Sequence, residues 1–128
     1  MTAIFFGLLL GLEIKHCIAD YFLQPGWILG GKGDFRRLGG YAHAGIHAGL
    51  SLIVLLLCGA PIAWALGLCV AELIVHYGLD YAKIYYSTGV HIDKEPRKFW
   101  ALHGIDQLAH QVTYAAMIYA VLRVEGLA

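Results

Sequence analysis

Histidine and aspartate residues recur at helical spacing along this sequence of 128 residues. Three pairs are separated by four positions: His16 and Asp20, His43 and His47, and His76 and Asp80. Residues four apart lie on one face of an α-helix, about one turn from each other. Imidazole and carboxylate are ligands that zinc, iron, nickel and manganese accept. The spacing therefore predicts a metal site built between facing helices.

A further polar stripe lies near the end of the chain. It consists of His103, Asp106, Gln107 and His110, whose offsets of three, four and seven again place them on one helix face. The predicted metal ligands are His16, Asp20, His43, His47, His76, Asp80, His103, Asp106 and His110. These candidates exceed the four ligands of one tetrahedral ion, so we predict two transition-metal ions, zinc or iron.

Three residues are predicted to carry the chemistry at this site: Asp106, His110 and Glu72. Glu72 lies in an apolar stretch about one turn deeper than the histidines, as does Glu13, and either can act as a general base or relay protons. A hydrogen bond between helices is the alternative role for both glutamates. For Asp106, accepting the free N–H of a metal-bound histidine is the alternative to direct ligation.

Polar groups in apolar helices can also hold neighbouring helices together through hydrogen bonds alone. Serine, threonine and asparagine would do this at lower cost, because an ionisable group within a membrane costs about 2.5 kcal/mol or more. A layer of histidines and carboxylates shared by four segments therefore favours a functional site over helix pairing.

The composition indicates that a membrane surrounds these residues. The chain is 59% hydrophobic and 14% charged, with a mean hydropathy of +0.65, which is atypical of soluble domains. Four apolar stretches are each long enough to cross a bilayer: 2–24, 41–58, 61–86 and 99–122. We predict an all-α integral membrane protein with four transmembrane helices in a single domain, 1–128.

Basic residues are concentrated in the two long loops, which connect the first helix to the second and the third to the fourth. These loops hold Lys32, Arg36, Arg37, Lys94, Arg97 and Lys98. The opposite side offers Arg123. The positive-inside rule then places both charged loops in the cytoplasm and both termini on the other side of the membrane.

The second half of the sequence repeats the first at an offset of 60 positions. The matching pairs are His16 and His76, Asp20 and Asp80, Arg37 and Arg97, and His43 and His103. Gln107 takes the place of a counterpart to His47. We predict a tandem duplication of a two-helix hairpin, with halves of about 1–60 and 61–128 related by a pseudo-two-fold axis along the membrane normal.

The polar motifs together resemble a known family. HCIADYFLQ in the first helix, His43 and His47 in the second, HYGLDY in the third and HGIDQLAH in the fourth are similar to small bacterial inner-membrane proteins catalogued as domain of unknown function 3307. The likeness covers nearly the whole chain. It implies a bacterial inner-membrane location and supports the same site residues, but it supplies no chemistry. In such a membrane the termini, which the positive-inside rule places outside the cytoplasm, are periplasmic.

Several functions are compatible with this layer. The first is a metal-dependent hydrolase acting on a lipid or other amphiphile whose headgroup lies at the cytoplasmic interface. The second is a di-iron oxidase or hydroxylase of acyl chains. The third is a haem-binding or accessory subunit of a larger membrane complex without catalysis of its own.

The predicted partners follow from the composition. The lipid bilayer is the first partner, and a partner subunit or a second copy of the chain stays open. Equal numbers of acidic and basic residues give zero net charge, which argues against nucleic acid, because phosphate backbones are bound by clustered excess Lys and Arg.

Overall fold

The computed structural model describes residues 1–126 and is helical throughout its regular elements. In chain order the helices are α1 (Thr2–Tyr21), α2 (Gly26–Leu29), α3 (Leu38–Leu57), α4 (Ile62–Ser87) and α5 (Pro96–Val124). The predicted all-α class is confirmed, and each of the four apolar stretches corresponds to one long helix. The last two positions of the predicted half 61–128 lie outside the described residues.

The short helix α2 lies in a segment that the sequence predicts as a loop. Pro25 precedes it with φ of −64°, which suits the start of a helix, and Ile28 is buried against α3. Gly31 and Gly39 meet where the loop returns, and a Cβ on Gly39 would lie 2.6 Å from the Ile28 carbonyl oxygen. Glycine at this crossing therefore lets the loop pack against the end of the bundle.

The four long helices form a ring. α1 packs against α3 and α5, and α4 packs against the same two helices. Within residues 1–126, α1 has no close backbone contact with α4, and α3 has none with α5. The helices that the 60-residue offset relates, α1 with α4 and α3 with α5, therefore lie diagonally across the bundle.

A tight turn sets the antiparallel pairing of α3 and α4. Gly59 has φ of +90°, a left-handed conformation that glycine adopts without a steric penalty. Its N–H donates to the Leu56 carbonyl at 3.1 Å, and the Ala60 N–H donates to the Leu55 carbonyl at 3.0 Å. This pair of bonds is the glycine-ended helix cap of the Schellman type, so the next helix folds straight back.

The outer surface of the molecule is largely apolar, and its buried interior includes many polar residues. Isoleucine and valine side chains on the outer surface, such as Ile53, Val70, Ile74 and Val112, are more than half exposed. The buried polar residues are Lys15, His16, His43, His47, Ser51, Glu72, His76, Asp80, Asp106 and His110. This distribution suits a bundle surrounded by lipid, where ionisable groups face the interior.

Among the described residues, three helices are long and apolar enough to cross a membrane: α1, α3 and α4. α5 has 29 residues, which is about 43 Å of helix and also long enough. Its first half carries the polar stripe that begins at His103, and that stripe lowers the average hydropathy of the helix.

The interior of the ring divides into two ends. The apolar end, beside the α3–α4 turn, contains Leu8, Leu12, Leu55, Met117 and Val121. The polar end, beside the two charged loops, contains the buried histidines and aspartates. Every long helix contributes to both ends, so the same bundle that packs the hydrophobic core also positions the polar residues.

Candidate metal centre

Five buried imidazoles meet at the polar end, at least one from each long helix: His16, His43, His47, His76 and His110. The ring centres of His47 and His76 are 3.8 Å apart, and those of His76 and His110 are 4.2 Å apart. His43 lies 4.5 Å from His47, and His16 lies 5.2 Å from His47. The rings therefore form one continuous cluster, which we call the histidine cluster.

A first set of possible ligands joins α1, α3 and α4. Asp20, His43, His47 and His76 each offer one ligand atom, and these atoms all lie within 4.8 Å of one another. The Oδ1 atom of Asp20 is 3.1 Å from the Nε2 atoms of both His43 and His47. Four ligands at these separations match the number in a closed tetrahedral site.

A second set joins α4 and α5 and shares one histidine with the first. His76, Asp80 and His110 also place their ligand atoms within 4.8 Å of one another. Asp80 Oδ1 is 3.6 Å from His110 Nε2, whereas Asp80 Oδ2 is 3.5 Å from His43 Nε2. Three protein ligands are the number in catalytic zinc sites, where the fourth position takes water or substrate.

The histidine cluster contains ring nitrogens that the surrounding protein does not satisfy. Within the part of the chain that the structure describes, both ring nitrogens of His43 and both of His76 lack a hydrogen-bond partner. His43 Nε2 is near Asp20 Oδ1, but the two atoms are not aligned for a hydrogen bond. A buried polar atom left in this way costs about 1–3 kcal/mol. A metal cation that accepts their lone pairs fits this donor set.

Hydrogen bonds from neighbouring side chains orient His16 and His47. Gln107 Nε2 donates to Asp106 Oδ2 at 3.2 Å, so its Oε1 accepts from His16 Nε2–H at 3.1 Å. His16 Nδ1 is then the acceptor for the Tyr114 hydroxyl at 2.8 Å. His47 Nε2 lies 3.1 Å from Asp20 Oδ1, and its N–H donates to this carboxylate, which can only accept. His47 Nδ1, which lies 3.4 Å from the Tyr114 hydroxyl oxygen, is then an acceptor. A metal ion bound at His47 Nε2 would replace this proton.

Lys15 is a buried residue that the sequence analysis missed. Its ammonium group forms an ion pair with Glu72, lies 3.3 Å from His47 Nδ1 and sits 4.3 Å from the centre of the Tyr114 ring. Lysine can only donate a hydrogen bond, so His47 Nδ1 accepts from Lys15 while His47 Nε2–H donates to Asp20. A lysine within an apolar stretch was the available signal, because such a residue normally has a buried partner.

The predicted catalytic residues occupy different positions. His110 belongs to the second ligand set. Asp106 lies beside it, with Oδ1 3.5 Å from His110 Nε2 and Oδ2 2.9 Å from Lys83 Nζ. Glu72 is held by Lys15, one residue removed from the histidine cluster.

Two further residues that the sequence singled out lie away from both ligand sets. His103 is half-buried, and its Nδ1 is 3.5 Å from Lys83 Nζ. Glu13 lines a separate apolar groove between α1 and α5. His16, although buried in the histidine cluster, is also outside both sets and bonds to Tyr114 and Gln107 instead.

A cavity of about 290 Å³ adjoins the histidine cluster on the side of the charged loops. We call it the loop-end cavity. Its charged and histidine lining is Asp20, Lys32, Asp80, Lys83, His103 and Asp106. Because Asp20 and Asp80 also belong to the ligand sets, the cavity borders the candidate metal centre.

The chain was compared with protein families, curated proteins and solved structures. The model of a family described as "Protein of unknown function (DUF3307)" matches residues 4–126. No curated protein and no solved structure matches the chain.

Proposed function

The chain belongs to the DUF3307 family of proteins of unknown function, and we propose from its site that it is a membrane-embedded metalloprotein that hydrolyses a lipid-like substrate at the cytoplasmic interface. One observation carries this proposal. Five buried imidazoles converge with Asp20 and Asp80, and four of the ring nitrogens have no hydrogen-bond partner among the described residues.

The proposed centre holds two transition-metal ions. The set around Asp20 has four ligands and suits a structural ion, whereas the set around Asp80 has three and leaves a position for water or substrate. His76 belongs to both sets. It would hold either ion, and metal stoichiometry tests whether both sets can be filled at once. Zinc suits the imidazole-rich ligands for hydrolysis.

The proposed reaction is the addition of water to an ester or phosphoester. The water oxygen forms a bond to the acyl carbon or phosphorus, the bond to the leaving oxygen breaks, and one proton of the water passes to the leaving group. A metal ion supplies Lewis acidity at this step. Asp106 borders the three-ligand set and lines the loop-end cavity, so it is the proposed proton carrier, whereas His110 belongs to that set and would hold the metal ion. Glu72 is the proposed proton relay behind His47.

We further propose that all four long helices cross the membrane. The outer face of α5 supports this arrangement, because Ile105, Leu108, Val112 and Tyr119 are each more than half exposed while Asp106 and His110 face inward. The basic loops then lie in the cytoplasm and the termini in the periplasm of a bacterial inner membrane. The diagonal placement of offset-related helices supports an origin by duplication.

A di-iron oxidase or hydroxylase of acyl chains is the second candidate. Asp80 favours it, because one carboxylate oxygen lies near His43 of the first ligand set and the other near His110 of the second. A carboxylate in this position can bridge two ions, as in di-iron bundles. A haem site is disfavoured, because ring centres 3.8–4.5 Å apart leave no slot for a porphyrin between imidazoles.

Elemental analysis of the protein purified in mild detergent tests the proposal. We expect about two transition-metal ions per chain, bound on purification or taken up from added zinc, iron or manganese. A colourless zinc protein supports hydrolysis, whereas iron with charge-transfer absorption supports the oxidase, and a Soret band supports haem. If the protein contains no metal under all of these conditions, the proposal is contradicted.

A further inference from the structure

The loop-end cavity brings basic residues to the candidate metal centre. Lys32, from the loop after α2, places Nζ 2.9 Å from Asp80 Oδ2. Lys83, from α4, places Nζ 2.9 Å from Asp106 Oδ2. Both lysines line the cavity, although Lys32 belongs to a loop and Lys83 to a helix. Two cationic side chains therefore border the cavity beside the candidate metal centre.

These lysines are not explained by metal binding. An ammonium group at hydrogen-bond distance from Asp80 competes with a metal ion for the same carboxylate and so weakens metal affinity. A site that bound only metal ions would bind them more tightly without this lysine. An anionic ligand that shares the cavity with the ions accounts for cations at this position.

Each ammonium group also has N–H donors that its aspartate partner does not use. A lysine side chain carries three N–H donors, and the ion pair of Lys32 with Asp80 uses one of them. Lys83 uses one on Asp106, with a longer approach to His103, and about a third of its side chain is exposed. Each lysine can therefore bind an additional acceptor without leaving its aspartate.

We infer that the loop-end cavity binds a phosphate group, so that the substrate is a phosphate-bearing molecule; this inference rests on the proposed metal centre. With Asp20 and Asp80 occupied by metal ions, the cavity wall is positive, and an anion is attracted to it. Phosphate offers more acceptor oxygens than a carboxylate and can contact metal ions and both lysines together. The volume, about 290 Å³, suits a headgroup rather than an acyl chain.

Binding of inorganic phosphate to the metal-loaded protein tests the inference. We expect calorimetry to give a dissociation constant about tenfold higher for Lys83→Gln and for Lys32→Gln than for the unchanged protein, since each loses a charge-assisted hydrogen bond. Lys83→Arg keeps the charge and retains most of the affinity. Lys94→Gln is the matched control, because Lys94 is an exposed loop lysine on the same side of the bundle and its substitution leaves phosphate binding unchanged.

Detergent micelles containing phosphatidic acid or phosphatidylcholine distinguish the source of the phosphate. Competition by phosphatidic acid supports a lipid headgroup, and phosphate binding without that competition supports a soluble phosphate compound. Metal content is measured in the same samples. A metal-free protein refutes the proposed centre, whereas a metal-loaded protein that binds no phosphate, or binds it equally well in both glutamine variants, overturns this inference alone.

Discussion

The two ends of the bundle are built from the same four helices but by different physical means. At the apolar end, Leu8, Leu12, Leu55 and Val121 are buried together, and burial of a leucine is worth about 1.5–3 kcal/mol in water-soluble cores. In lipid, close packing takes over much of this role. The apolar end therefore holds the helices together without polar residues.

The polar end, in contrast, contains groups that lower the stability of the bundle. Its imidazoles and carboxylates include orphaned polar atoms, which lower stability unless a ligand satisfies them. Lys15 and Glu72 lie between the two ends as a buried ion pair. The comparison assigns close apolar packing to one end of the bundle and unsatisfied polar groups to the other, which supports the proposal that the polar end binds a ligand.

The largest expected effect is a loss of bound metal from a substitution at the polar end, compared with a loss of stability from a substitution at the apolar end. His76→Ala removes the histidine shared by both ligand sets, so we expect loss of most bound metal and of activity, with the helical bundle retained. Leu55→Ala, at the apolar end, is expected to lower the free energy of unfolding by about 2–5 kcal/mol without changing metal content per folded chain. Elemental analysis and thermal unfolding of both variants give the comparison. Full metal occupancy in His76→Ala would contradict the assignment.

A smaller effect distinguishes the two ligand sets. His110→Ala should lower metal content by about one ion per chain and abolish activity, because His110 belongs to the three-ligand set alone. His91→Ala, in an exposed loop position, is the control. Equal metal content in the two variants would show that His110 is not a ligand.

The buried ion pair of Lys15 and Glu72 lies between the two ends, and its contribution to stability can be tested. Lys15→Met leaves Glu72 without its cation and is expected to destabilise the fold by about 3–5 kcal/mol. Adding Glu72→Leu should restore most of that loss, because an apolar pair of similar size leaves no buried charge unpaired. Thermal unfolding of the single and double variants measures this. An additive loss would mean that the two residues act independently.

The smallest effect concerns the orientation of the histidines. Tyr114→Phe removes the hydroxyl that contacts both His16 and His47, and loss of a contact that orients a metal-binding histidine is expected to weaken metal affinity about 10–100-fold. Tyr119→Phe, on the exposed face of the same helix, should bind metal normally. Competition with a chromophoric chelator provides the measurement, and the d–d spectrum of the cobalt-loaded protein should shift in Tyr114→Phe only. An unchanged affinity and spectrum would assign Tyr114 to packing alone.

Much of the polar end could be predicted from the sequence because spacing fixes the helix face. His16 and Asp20 face the interior together, as do His76 and Asp80, and both pairs lie near the charged loops. His103 shows the limit of this reasoning. It matches His43 in the repeat, yet it is half-buried beside Lys83, whereas His43 is fully buried. The offset gives the position of a residue along a helix but not the rotation of that helix within the ring.

By itself, the sequence determined the long helices, their apolar surfaces and the residues that share each helix face, because these depend on local periodicity and composition. The tertiary structure alone decided that His76 joins both ligand sets, that Lys15 pairs with Glu72 and that Lys32 reaches Asp80. These contacts join residues far apart in the chain. They depend on which helices become neighbours and how closely their backbones approach, and interhelical packing sets both.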